Sequence, residues 1–305
     1  MSLIKKPSEI KFTNLLKVLI YGQPGIGKST LALSMPEALI IDCDKGLHRV
    51  QSSLISDVVQ VEKWQDIDEV LNYDLSKYKS IIFDTGGKLI DYMQAYLIAN
   101  NPKLNAGSGM LTLQGYGVRK AMFQTLLGRI DRLGKHVIFV AHEREEKDGD
   151  IRYVRPEIGG SSGNDLIKEL DLVGYMEAIG TQRVIRFNPQ EKFYAKNALE
   201  LPDKMQIPDT SKGNIFMTNI IKTYEGRQAD KLKKNEEYDA LIELIKSNIS
   251  DVKDSAGAND LIAWIKTVNH IWDSKFQASV LLSAQAKALG LVFDKSTGGY
   301  NEVKP

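Results

Sequence analysis

A single cysteine in 305 residues, Cys43, excludes an internal disulfide, and four scattered histidines with no second cysteine offer no recognisable zinc site. Redox and metal-thiolate chemistry are set aside on that ground. No apolar run approaches the roughly 20 residues of a membrane span, and the opening Met-Ser-Leu-Ile-Lys-Lys lacks the hydrophobic segment of a signal peptide. The expected location is therefore the cytoplasm, with no membrane partner. Repeats and low-complexity tracts are missing, and the net charge is only +1. That charge is unevenly placed: residues 183–234 hold 11 Lys or Arg against 6 Asp or Glu, a bias that suits a polyanion or simply a solvated surface.

What is present is a normal core complement, 43% hydrophobic residues, organised around Gly22-Gln23-Pro24-Gly25-Ile26-Gly27-Lys28-Ser29-Thr30. This matches G-x-x-x-x-G-K-[ST] in full, with an apolar strand pattern before it (Val18 to Tyr21) and a helical one after it (Ser29 to Met35). Glycines let such a loop turn its backbone N–H groups inward, and the following helix adds unpaired donors, so polyphosphate is held with few side chains. Lys28 is expected to reach the β- and γ-phosphates of ATP, and the Ser29 hydroxyl to hold Mg²⁺.

The rest of the first two thirds alternates strand and helix patterns. Ala38 to Asp44 and Ser80 to Asp84 read as buried strands ending in acids, and His136 to Ala141 as another. Residues 57–61 read as a short strand, with helices over 66–75, 88–99 and 118–133. Strands that are apolar throughout and separated by helices predict an α/β fold with a mainly parallel sheet covered on both faces. Residues 100–117 and 143–163 read as loops, the second long enough to be functional or disordered. Further strands are expected at 171–178, 183–187 and 193–195. The expected organisation is an N-terminal arm at 1–14, a core domain at 15–226, and a helical C-terminal appendage at 227–305 joined through Lys231, Lys233 and Lys234.

Three residues extend the chemistry. Asp84 at its strand end is expected beside the phosphate loop as the second Mg²⁺ element. Asp44 either caps its strand or faces the γ-phosphate and positions an attacking water. His142, at the tip of the strand that ends at Ala141, either contacts the γ-phosphate or is a structural histidine.

The phosphate loop, Asp44, Asp84 and His142, in this order, resemble the RecA-type ATPase core. Ile158-Gly159-Gly160, a short helix over 165–170 and the strand Asp171-Leu172-Val173-Gly174-Tyr175 extend the resemblance, which spans about residues 15–210. The compact form most resembles the phage-encoded RecA-like ATPases that anneal single strands. That implies a homo-oligomer, ring or filament, acting on single-stranded DNA in the host cytoplasm, with a single-strand binding protein as a further partner. It implies DNA contact by Arg144, Lys147, Arg152, Tyr153 and Arg155, with Lys103 and Gly107-Ser108-Gly109 as a second region. It also implies a basic residue acting in trans on a neighbour's nucleotide, Lys196 first and Arg186 second. Two departures stand out: Asp44 occupies a position usually Glu, which implies slower hydrolysis, and His142 a position usually Gln. Two other readings are a nucleotide-switched annealing module with little turnover and a small-molecule kinase on the same loop.

Overall fold

The computed structural model describes residue 3 and residues 14–149, 151–210 and 213–302. The expected arm at 1–14 lies almost entirely outside them. The chain divides into two compact units, Asn14–Tyr224 and a second that begins at Glu225.

The first unit opens with β1 (Lys17–Gly22), α1 (Lys28–Ala32), β2 (Ala38–Asp42), β3 (Asp57–Gln60), α2 (Trp64–Val70), β4 (Ser80–Asp84) and α3 (Gly86–Asn100). It continues through β5 (Asn105–Gly107), β6 (Met110–Leu111), α4 (Leu113–Arg132), β7 (His136–Asp148), β8 (Ile151–Pro156) and α5 (Ser161–Glu169). It closes with β9 (Leu172–Ile179), β10 (Gln182–Arg186), β11 (Lys196–Asn197), β12 (Lys204–Gln206) and the start of α6 (Phe216–Ser250).

The main sheet runs β12-β10-β9-β1-β7-β4-β2-β3. From β9 to β3 every neighbouring pair is parallel, and β10 and β12 extend it antiparallel. The α/β expectation is thus met. Side chains alternate between two cores: Leu19, Ile41, Phe83 and Phe139 pack with α2 to α5 on one face. Val18, Ile20, Ile40, Ile82 and Ile138 pack on the other with α1 and Met217, Ile220 and Ile221 of α6. Because both faces are covered, the sheet exposes function only at the strand ends. The phosphate loop, Asp44 and Asp84 come from the carboxyl ends of β1, β2 and β4, and His142, which the sequence placed at a strand tip, lies inside β7 level with Gly22 at the end of β1, because β7 runs on past it.

Two expectations about loops are corrected. Residues 143–163 are not an open loop: β7 runs on to Asp148 and pairs antiparallel with β8, from Glu143 opposite Pro156 to Asp148 opposite Ile151. The acids and bases that read as loop chemistry pair with one another, Arg152 with Glu145 and both Arg144 and Arg155 with Glu146, which supports a ribbon of two strands. In 100–117, α4 starts five residues before Val118, capped by the Thr112 hydroxyl, which accepts from the Gly115 N–H at 3.1 Å. Gly115 is tolerated because the helix approaches Leu104 and Leu111 so closely that a Cβ there would meet them at 3.0–3.1 Å. Gly107-Ser108-Gly109 belongs to the small β5–β6 hairpin.

The second unit holds the remainder of α6, α7 (Ser255–Thr267), α8 (Ser274–Ala288) and a hairpin, β13 (Leu291–Asp294) with β14 (Gly299–Glu302), that the helical expectation missed. Lys231, Lys233 and Lys234 lie inside α6 and not in an open linker. Ile245, Leu261, Ile265, Leu282 and Tyr300 form its core. Asn259 of α7 ties the hairpin down, accepting from the Tyr300 N–H at 2.7 Å and donating to the Tyr300 carbonyl at 3.0 Å. Among the described residues no helix is long and apolar enough to cross a membrane.

Candidate active site

β1 is buried from Val18 onward and ends at Gly22, whose neighbour in β9 is Met176. A Cβ on Gly22 would lie 2.4 Å from the Met176 carbonyl oxygen, so only glycine lets the chain leave the sheet here. Gly27 then turns the chain into α1 at φ +97, a left-handed conformation that also favours glycine. Between them Ile26 anchors the loop by burying its side chain in the core. Lys28 is itself buried, and its Nζ donates back to the loop, to the Gly22 carbonyl at 2.9 Å and the Gln23 carbonyl at 2.7 Å. Burial lowers its pKa, and Asp84, Glu143 and Asp44 oppose that shift.

The loop opens onto a cavity of about 280 Å³ lined by Gly25, Gly27, Lys28, Ser29, Thr30, Asp44, Asp84 and His142, together with Gly46, Arg49, Thr85 and Arg183. The residues singled out from sequence as Mg²⁺ and water elements therefore share one space with the phosphate loop. Gly22, Gln23, Pro24 and Ile26 supply the loop's backbone without lining the cavity.

Asp84 is buried, and its pKa is raised to about 6 chiefly by that burial, with Asp42 and Asp44 adding to the shift. A hydrogen bond with the Ser29 hydroxyl and the charge of Lys28 hold it down in part. A buried carboxylate with so little compensation, next to a hydroxyl oxygen, is a donor set that fits Mg²⁺, which takes one or two protein oxygens and completes its shell with phosphate and water. Among the described residues no group of three or more His, Cys, Asp and Glu gathers into a cage, as a tighter metal site would need.

The Asp84 carbonyl accepts from the N–H groups of both Cys43 and Asp44, at 2.6 and 3.0 Å, fixing Asp44 beside it. Asp44 Oδ2 lies 3.9 Å from His142 Nε2. Burial and Lys28 lower the His142 pKa while Asp44 and Glu157 raise it, and Nδ1 is buried without a hydrogen-bond partner. The net lowering favours the neutral ring. Asp42, the register partner of Asp84, is buried too and raised by desolvation. The amides of Gly46, Lys45 and Leu47 approach closely enough to oppose that rise, although neither Asp42 oxygen closes a hydrogen bond of standard geometry.

Sequence reasoning missed Arg49 and Arg183. Arg49 follows Gly46 in a 3-10 turn, Leu47–Arg49, and no motif marks it. Arg183 sits on β10, far along the chain from the loop it faces, and only the sheet order brings the two together.

The residues implied by the resemblance lie elsewhere. Arg144, Lys147, Arg152, Tyr153 and Arg155 are on the β7–β8 ribbon, outside the cavity. Arg155 lies over the rings of Tyr153 and Tyr194, at 5.3 and 5.9 Å. Lys103 is exposed beside the β5–β6 hairpin. Lys196 lies opposite Val173 near the start of β9, away from the carboxyl ends, and its Nζ donates to the Ile167 and Lys168 carbonyls at 3.3 Å, capping α5. Arg186 is paired with Glu177 and Asp203 of its own chain.

The fold and the loop define a P-loop nucleotide-binding domain. The chain belongs to the AAA domain family, whose model matches residues 14–199. It is similar to the crystal structure of the RadB recombinase, at 15% identity and a TM-score of 0.36, over 58% of this chain and 84% of that one. It is also similar to the flagellar accessory protein FlaH from Methanocaldococcus jannaschii, at 12% identity and a TM-score of 0.34, over 63% of this chain and 84% of that one. No curated protein matches it.

Proposed function

We propose that the protein is a RecA-like ATPase that binds ATP with Mg²⁺, assembles as a homo-oligomer on single-stranded DNA, and promotes annealing or recombination in a phage context. The observation that carries this reading is the convergence of Lys28, Ser29, Asp44, Asp84 and His142 on one cavity. Strand order supports it further: β7 lies between β1 and β4, so His142, paired with Gly22, stands between the phosphate loop and Asp84, where a γ-phosphate would be sensed.

In this reading Ser29 and Asp84 hold Mg²⁺, which supplies charge neutralisation at the β- and γ-phosphates. Lys28 exchanges its bonds to the Gly22 and Gln23 carbonyls for phosphate oxygens and stabilises charge developing on transfer. Asp44 orients the attacking water, and neutral His142 offers one ring N–H to the γ-phosphate or to Asp44. The β7–β8 ribbon is the DNA-contacting element, with Arg144, Lys147 and Arg152 its exposed cations. A single-strand binding protein is the further partner.

The test is ATP turnover by wild-type protein and Lys28→Ala, with and without single-stranded DNA. Turnover that depends on Lys28 and rises with DNA supports the proposal, and turnover indifferent to DNA defeats its recombination part.

A second reading, a nucleotide-switched annealing module with little turnover, is favoured by Asp44, whose short carboxylate already faces His142 at 3.9 Å. Annealing at equal rate with ATP and a non-hydrolysable analogue would select it.

A further inference from the structure

We infer that Arg183 clamps the α- and β-phosphates of the nucleotide in cis, from the side of the phosphate loop opposite the metal, and so sets how tightly any nucleoside di- or triphosphate is held. This rests on the nucleotide site proposed above.

The Arg183 guanidinium lies against Gly27: its Nη1 would be only 2.5 Å from a Cβ on that residue, and it lines the same cavity as Lys28. Among the described residues its side chain has no ion-pair partner, whereas Arg186 on the same strand is paired twice. An unpaired, half-buried guanidinium joins the buried Lys28 and the exposed Arg49 in one concavity, a site that gains from an anion. The strand beneath is firmly held: Val184 and Ile185 are buried, and the Arg183 carbonyl accepts from the Ile207 N–H at 2.9 Å. The cation is presented by a rigid element.

Topology says which phosphates it meets. β9 and β10 lie on one side of β1, while β7, β4 and β2, with His142, Asp84 and Asp44, lie on the other. Ser29 and Asp84, which would hold the metal and with it the β- and γ-phosphates, are on the second side, which would leave the α-end of the phosphate chain toward β10. Arg183 therefore touches groups that ATP and ADP share, and it comes from the same chain as the loop. The trans-acting cations implied by family resemblance, Lys196 and Arg186, are by contrast engaged in contacts of their own.

Equilibrium binding of fluorescent ATP and ADP to full-length wild-type, Arg183→Ala and Arg183→Lys proteins tests this, with far-UV circular dichroism confirming the fold and Arg183→Gln as the replacement should the alanine variant misfold. The expected result is a loss of about tenfold or more for ATP and ADP alike, partly restored by lysine. Mixing Arg183→Ala with Lys28→Ala should restore neither binding nor turnover. A loss confined to ATP, unchanged affinity for both, or recovery on mixing would overturn the inference. Wild-type protein that bound neither nucleotide would instead bring down the proposed function itself.

Discussion

The backbone N–H of Asp44 donates to the carbonyl of Asp84 at 3.0 Å, so the acid proposed to orient water and the acid proposed to hold the metal are fixed to each other through the main chain. Changing the Asp44 side chain should therefore leave Asp84 in position. Asp44→Asn is expected to keep ATP affinity within about threefold and to cut turnover by about 100-fold or more. Parallel titration and turnover measurements check it, and a comparable loss in both would assign Asp44 to binding.

Asp84 is costly to the metal-free protein. A carboxyl raised from its ordinary value to about 6 corresponds to an order of 2–3 kcal/mol. The folded state binds that proton more tightly than the unfolded chain, so the stabilisation is present at acid pH and is lost as pH rises from about 4 to about 6. Asp42 acts in the same direction, and His142, whose pKa is lowered, in the opposite one. Comparison with Asp84→Asn removes those common contributions. Without metal, the variant should gain on wild type by that order between pH 4 and 7 in urea denaturation, and saturating Mg²⁺ and ATP should reverse the ranking at pH 7.

Gly27→Ala meets two obstacles, a φ of +97 and the Arg183 guanidinium 2.5 Å from the new Cβ. A destabilisation of about 1–2 kcal/mol is expected from the backbone alone, with loss of nucleotide binding. Adding Arg183→Ala should recover part of the stability and none of the binding, read by thermal unfolding and by titration.

These sites differ in how visible they are in the sequence. The phosphate loop and the buried apolar runs that lead to Asp44, Asp84 and His142 were legible because apolar runs, glycines and a polar residue after them are local signals, although β2 stops at Asp42 and β7 runs on to Asp148. The β7–β8 ribbon was not, since its acids and bases pair across strands, and the same charges read along the chain look like a solvated loop. Arg183 was hidden for another reason. Its strand lies two places from β1 in the sheet, an adjacency written in topology, and a lone arginine after Gly180 carries no pattern.

The ribbon gives its own prediction. Lys147 and Arg152 are exposed, while Arg144 and Arg155 share Glu146 at 2.6 and 3.9 Å. If the ribbon contacts single-stranded DNA, Lys147→Ala with Arg152→Ala should lower the slope of log affinity against log salt by about 1.4. Glu146→Gln, which frees two arginines, should strengthen binding severalfold. Anisotropy over a salt series measures both, and an unchanged slope would exclude the ribbon as the DNA-contacting element.

The central claim is that this cavity holds ATP with Mg²⁺ through Lys28, Ser29 and Asp84. Isothermal titration of wild-type protein and Lys28→Ala with ATP, in Mg²⁺ and in EDTA, tests it most directly. The account predicts saturable binding by wild type that weakens at least about tenfold without metal and is lost in Lys28→Ala. Equal binding by the two proteins, or none by either, would contradict it.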